Sequence, residues 1–197
     1  MKPLHATPFR VYHLEPRTTH STQRPPERPR TFPSQSHELK SIIHHVASNP
    51  DALLSEEIIT STDPDTILDF SITSRNAPEE FEHLVQVTDS MYALTLFGYG
   101  NKTPFTRLEK VFEEMKIVTQ SFDLHDREDG QALQGAITRL TGDARYPKVL
   151  LKGRELGTAE EVVEMALNGT LVDELKQQGV EAEAGDPYIL REIVEFW

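Results

Sequence analysis

The spacing of apolar residues first becomes helical near residue 36. Four apolar side chains recur there at i, i+3, i+4 and i+7, namely Leu39, Ile42, Ile43 and Val46. This spacing predicts a helix with one buried face, and Ser36 precedes it as the predicted N-cap. The dipeptide Asn49-Pro50 interrupts the pattern, and apolar residues between 53 and 59 predict a second short helix. We therefore expect residues 37–77 to form a helical N-terminal region.

Beyond residue 77 the pattern alternates between helical and strand-like spacing. In chain order it predicts a helix opening at 78, a strand at 91–97, a helix at 104–116, a strand at 119–124, a helix at 128–140, strands at 148–152 and 154–156, and helices at 159–167 and 171–178. All ten glycines lie at or after Gly98, so tight turns are concentrated in this half. A βαβ unit followed by a ββα unit predicts a small mixed sheet with helices packed on its faces.

The first 36 residues have a different composition. They hold seven of the thirteen prolines, with six basic and two acidic residues, a net charge of +4. Such a segment cannot build a core, so residues 1–36 are predicted to be an extended or disordered basic arm. The arm is a solvated tail, a targeting segment or a contact arm that orders against an acidic partner. Arginine, serine and threonine with few acids favour a mitochondrial location, and the alternative is the cytoplasm.

The bulk composition excludes several classes of function. The total charge of −12 leaves −16 on the chain after residue 36, which argues against general binding to nucleic acid. No apolar run approaches the roughly 18 residues needed to cross a bilayer, so an integral membrane protein is not expected. Eight histidines are present, but the adjacent pair His44 and His45 point in different directions on a helix. No metal site and no cofactor are predicted.

Three local motifs in the C-terminal half occur at set distances from one another. The strand ending at Phe97 is followed by a turn that leads into a helix, Lys102-Thr103-Pro104-Phe105-Thr106. Tyr146-Pro147 precedes the strand at 148–152. From that proline the chain continues through a hairpin to Gly157-Thr158 and then to the acidic pair Glu160 and Glu161.

This arrangement resembles the glutaredoxin branch of the thioredoxin fold over about residues 81–180. The resemblance implies an α/β domain at 78–180, with a small four-stranded mixed sheet, helices on both faces and the N-terminal helices as an extension. It also implies that Pro147 is the family's cis-proline. By analogy, a glutathione or peptide site would be formed by residues of two loops: Tyr146, Pro147, Gly157, Thr158, Glu160 and Glu161. Thr158 stands where the family has a second glycine, which leaves glutathione binding open.

The chain has no cysteine, and the turn at 102–106 lies where the family has its redox cysteines. Two registers are open. In the first register, Thr103 and Thr106 take the two cysteine positions. In the second, Lys102 takes the first cysteine position, and the apolar spacing of the helix favours this register. Thiol–disulfide exchange needs a thiolate of low pKa, and iron–sulfur carriage needs a thiolate ligand. We therefore expect no catalytic residue, a degenerate redox turn and no enzymatic activity.

The end of the chain, residues 181–197, is an apolar tail. Its apolar residues are Tyr188, Ile189, Leu190, Ile193, Val194, Phe196 and Trp197. Such a tail is expected to pack on its own domain or on another chain. The sequence as a whole predicts a non-catalytic scaffold that contacts other protein subunits through the arm and the tail. The alternative is a redox-inactive module that binds glutathione or a peptide.

Overall fold

The computed structural model describes residues 31–67 and 77–195. Most of the predicted basic arm, the apolar residues Leu68 and Phe70, and the final residues Phe196 and Trp197 lie outside these ranges. The helices are α1 (Gln35–Ser48), α2 (Ala77–Met91), α3 (Thr103–Glu114), α4 (Gly130–Thr141), α5 (Ala159–Asn168), α6 (Thr170–Gln177) and α7 (Pro187–Glu195). The strands are β1 (Leu94–Gly98), β2 (Gln120–Asp123), β3 (Lys148–Leu151) and β4 (Arg154–Gly157), and short 3-10 helices occupy Glu56–Ile59 and Pro64–Thr66.

The four strands form one mixed sheet in the order β2-β1-β3-β4. β1 pairs parallel with β2 and antiparallel with β3, and β3 pairs antiparallel with β4. Every residue of the two central strands is buried, because helices cover both faces of the sheet. The predicted four-stranded mixed sheet with helices on both faces, and the helical region ahead of it, are confirmed.

Each face of the sheet has its own hydrophobic core. On one face, Phe97, Phe122 and Leu150 pack with apolar residues of α1, α2 and α4. On the other, Leu96 and Val149 pack with α3, α5 and α6. The N-terminal helices therefore share a core with one face of the sheet.

The N-terminal region begins two residues earlier than the sequence predicts. Ser34, and not Ser36, is the N-cap: its backbone is extended, and its Oγ accepts a hydrogen bond of 3.3 Å from the amide of His37. Ser36 lies inside the first turn of α1. The second predicted helix is a single 3-10 turn at Glu56–Ile59, which buries Ile58 completely and contacts α4.

A buried ion pair connects this region to the sheet domain. Glu38 on α1 is 2% exposed and accepts hydrogen bonds from the guanidinium of Arg139 on α4. Arg139 Nε also donates to the carbonyl of Ile59 at 2.9 Å, and Nη2 donates to that of Ile58 at 3.1 Å. One guanidinium thus holds α1 and the 3-10 helix against α4, with its donors satisfied by a carboxylate and by backbone carbonyls.

The described part of the C-terminal tail packs on its own domain. α7 lies against α3 and α5 and buries Leu190. The loop before it is fixed by backbone contacts to the end of α3, since the amide of Glu183 donates to the carbonyl of Met115 at 2.9 Å. Tyr188 and Ile189, in the first turn of α7, remain exposed.

Substitution of Glu38 by Gln removes the charge partner of Arg139 at a buried position. We expect Glu38→Gln to lower the free energy of unfolding by about 1 to 3 kcal/mol, the usual cost of leaving a buried group poorly paired. The measurement is chemical denaturation. Lys116→Gln, which breaks the exposed pair with Glu183, is the control and should have a smaller effect. Equal effects in the two variants would show that the buried pair does not hold the extension.

Candidate functional site

The site lies where the N-terminus of α3 meets the loop before β3. The peptide bond Tyr146-Pro147 in that loop is cis. Both elements pack on Gly98, at the end of β1: a Cβ on this residue would collide with the ring of Phe105 and lie 3.0 Å from the Cβ of Pro147. A side chain at position 98 would therefore push the two elements apart.

The degenerate redox turn forms the start of α3. Lys102 is the exposed N-cap residue, and its side chain makes no capping hydrogen bond. Thr103 is exposed, while the half-buried Thr106 donates through Oγ1 to the carbonyl of Thr103 at 3.2 Å. The apolar positions on which the Lys102 register rests are all buried: Leu108, Val111 and Phe112. No sulfur is present at the start of α3.

Tyr146 is held rigidly beside the cis bond. Its hydroxyl donates to the carbonyl of Gln134 at 3.0 Å, and its ring lies edge-to-face with Tyr99 at 6.0 Å between centroids. Burial is the main cause that raises the pKa of Tyr146 to about 12. The phenol is neutral at physiological pH, as an ordinary tyrosine is, and its proton is engaged by the carbonyl of Gln134.

A cavity of about 210 Å³, the proline cavity, opens beside Pro147. It brings together five of the residues predicted from the sequence: Pro104, Tyr146, Pro147, Thr158 and Glu160. Three further charged residues that the sequence analysis missed also line it: Asp143, Arg145 and Glu155. Lys102, Thr103, Phe105, Thr106, Gly157 and Glu161, also named from the sequence, are not among its lining residues.

Thr158 and Glu161 close the N-terminus of α5 with their own side chains. The amide of Glu161 donates to Thr158 Oγ1 at 3.3 Å, and the amide of Thr158 donates to Glu161 Oε2 at 2.8 Å. These bonds from Thr158 hold the pKa of Glu161 below its usual value. A helix N-terminus ordinarily offers free amides to an anion, and here the side chains of Glu161 and Thr158 accept from two of the amides, those of Thr158 and Glu161.

The charges around the proline cavity are arranged in two pairs. Arg145 donates through Nε to Asp143 Oδ2 at 2.8 Å, and this hydrogen bond is the main cause that lowers the pKa of Asp143 to about 2. Lys148 is completely buried, with Nζ 3.2 Å from Glu155 Oε1 and 5.6 Å from the centre of the Tyr146 ring. The lining itself therefore carries three carboxylates and one guanidinium.

The comparisons with known proteins cover about half of the chain. No family model matches it. Glutaredoxin-C4 of Arabidopsis thaliana is 27% identical over 109 residues, which are 55% of this chain and 81% of the relative. Glutaredoxin-C8 of Oryza sativa subsp. japonica is 32% identical over 89 residues, or 44% and 65% of the two chains. A buckwheat glutaredoxin–glutathione complex matches with a TM-score of 0.42 and 26% identity, covering 51% of this chain and 94% of that one.

Sequence similarity and strand order agree on one class of protein. The C-terminal half of the chain is a glutaredoxin-like domain of the thioredoxin fold, and it lacks the active-site cysteines. In the described ranges no helix is long and apolar enough to span a membrane. Those residues also hold no group of three or more histidines and acids suited to a metal ion.

The Asp143–Arg145 pair predicts a pH effect on stability. The pKa of Asp143 is about 2 in the folded chain, below its ordinary value of 3.8. The ionised carboxylate therefore stabilises the fold above about pH 4, and this stabilisation is lost as the pH falls to about 2. We expect the melting temperature to fall between about pH 4 and pH 2, and to fall less in Asp143→Asn. Thermal melts across this range measure it. Asp126→Asn, on an exposed loop, should leave the profile unchanged.

Proposed function

We propose that this chain is a non-catalytic glutaredoxin-like scaffold that serves as a structural or accessory subunit of a larger protein assembly in the mitochondrion. The observation that carries the proposal is the replacement of sulfur at the start of α3. By the resemblance to glutaredoxins, Lys102, Thr103 and Thr106 take the turn that would carry the redox cysteines. A threonine hydroxyl has no accessible anion at neutral pH and forms no disulfide, so it cannot perform thiolate exchange.

The state of the glutathione region supports the same proposal. One solved neighbour is described as a glutaredoxin–glutathione complex, and glutathione is an anionic peptide. In this chain the N-terminus of α5 is closed by Thr158 and Glu161, and three carboxylates line the adjoining cavity. The chain's own side chains thus take the amides of Thr158 and Glu161, and the carboxylates beside them disfavour an anionic ligand.

The extensions support a role based on contacts. α1 and α7 add helices to opposite faces of the glutaredoxin-like sheet, which makes the chain larger than its matched half. The basic arm carries +4 against −16 on the rest of the chain. A segment of that composition gains order when a partner supplies the contacts it lacks. We assign partner contact and mitochondrial targeting to this arm.

Contacts at the start of the described chain fix how much of the arm a truncation should keep. Phe32 packs against Phe81, and Ser34 caps α1, so a truncated chain should keep residues 31–197. We expect native pull-down with mass spectrometry to recover partner subunits with the full chain and to lose them with residues 31–197. We also expect only the full chain to co-localise with a mitochondrial marker.

Three outcomes would contradict the scaffold proposal. Equal recovery of partners by both versions would show that the arm does not contact them. Recovery of no subunit by the full chain would contradict membership of an assembly. Disulfide reduction above the buffer blank by the purified chain would overturn the argument from sulfur chemistry.

The proline cavity favours a second candidate function, a redox-inactive module that binds glutathione or a peptide. Calorimetric titration with glutathione separates the two. For the wild-type chain we expect no binding tighter than about 1 mM. In Thr158→Gly the amide of Glu161 loses its internal acceptor, and we expect binding to become measurable. Thr158→Ser keeps the hydroxyl and is the matched control. Wild-type binding well below 1 mM would favour the binding module.

A further inference from the structure

A second cavity adjoins the proline cavity and is created in part by α7. It has a volume of about 240 Å³ and shares Pro104, Ala159 and Glu160 with the proline cavity. Its floor is apolar and consists of Val163 and Leu167 on α5 together with Val194 on α7. We call it the α5 groove. Because Val194 belongs to the C-terminal helix, the groove is not a feature of the four-stranded sheet domain alone.

One side of the α5 groove is acidic. Glu160 and Glu164 lie four residues apart on α5, so both project on the same side of the helix. Both are exposed, and neither forms an ion pair with another residue in the described ranges. Like charges at this spacing destabilise a helix slightly. A positive charge bound between them would relieve that repulsion.

The lining of the α5 groove also includes a guanidinium. Arg107 on α3 lines the groove half-buried, and its Nε is enclosed by protein with no hydrogen-bond acceptor among the described residues. No other nitrogen of Arg107 donates to a residue in those ranges. A buried donor without an acceptor is unfavourable, and a guanidinium readily donates to backbone carbonyls. Since Nε is enclosed, the terminal nitrogens of Arg107 are the donors available to a molecule with carbonyl oxygens.

The dimensions of the floor limit what fits. Val163 and Leu167 are one helical turn apart, about 6 Å along the axis of α5. This length accommodates a single apolar side chain. The ligand that matches the groove therefore has carbonyl oxygens near Arg107, one apolar side chain on the floor and a cation near the two glutamates. A peptide combines these three groups within a few residues.

We propose that the α5 groove binds an extended segment of a partner protein that presents one apolar side chain next to an arginine or lysine. The charge of the two glutamates selects the basic residue, and the floor selects the apolar one. The groove lies beside the proline cavity and uses none of the missing sulfur chemistry. A peptide bound there would give the proposed scaffold a defined contact. The inference rests on the scaffold proposal only in assuming that the chain acts through contacts with other proteins.

The test is a fluorescence anisotropy titration of the full chain with an end-blocked, fluorescein-labelled peptide, Gly-Arg-Leu-Arg-Gly. We expect saturable binding, with a Kd below about 1 mM that weakens as salt is raised. The double variant Glu160→Gln/Glu164→Gln should weaken binding by about threefold to tenfold. Glu181→Gln, an exposed glutamate outside the groove, is the matched protein control and should bind like wild type. Thermal melting verifies that each variant is folded.

Peptide controls test each part of the recognition. Citrulline in place of both arginines keeps the shape and removes the charge, and serine in place of leucine removes the apolar contact. Both should bind more weakly than the parent peptide. Equal binding of the citrulline peptide, unchanged binding in the double glutamine variant, or no binding to the wild-type chain would each overturn the proposal.

Two other occupants have distinct signatures, and either would also overturn the proposal. If the peptide binds only after Phe196 and Trp197 are deleted, the chain's own final residues fill the groove. If the wild-type chain self-associates with concentration in sedimentation and the double glutamine variant does not, a second copy fills it. Neither result affects the disulfide-reduction or pull-down tests, so failure here is separable from failure of the scaffold proposal.

Discussion

The geometry of the site depends on the absence of a side chain at Gly98. The ring of Phe105 and the cis-Pro147 both pack directly on this residue, which brings the start of α3 next to the loop before β3. The proline cavity and the α5 groove both lie beside that junction, and both are lined by Pro104. Because this contact involves only packing, it requires no thiol.

The two central strands, β1 and β3, were predictable because every one of their residues is buried. Continuous apolar runs and glycine turns fix where β1 and β3 begin and end to within a few residues. The N-cap of α1 was misplaced, since Ser34 and Ser36 are equally good caps by residue type. Only the extended backbone at Ser34 distinguishes them.

Part of the site could not be predicted, because it depends on pairs that only the folded chain brings together. By residue type alone, Lys148 is expected to be an exposed polar residue at the start of a strand, yet it is completely buried. Its ammonium is satisfied by Glu155, which the hairpin of β3 and β4 returns to the same side. Arg107 and Val194 are 87 positions apart in the sequence and meet only because α7 packs on α3. The sequence signal for Lys148 was a lysine followed immediately by three apolar residues.

The N-terminal segment and the C-terminal helix lie on opposite faces of the sheet. The segment entering at Phe32 packs with α2 on one face of the sheet, while α7 lies on the other face. The anchor of the arm at Phe32 and the α5 groove therefore lie on opposite faces of the sheet, separated by the thickness of a helix–sheet–helix sandwich.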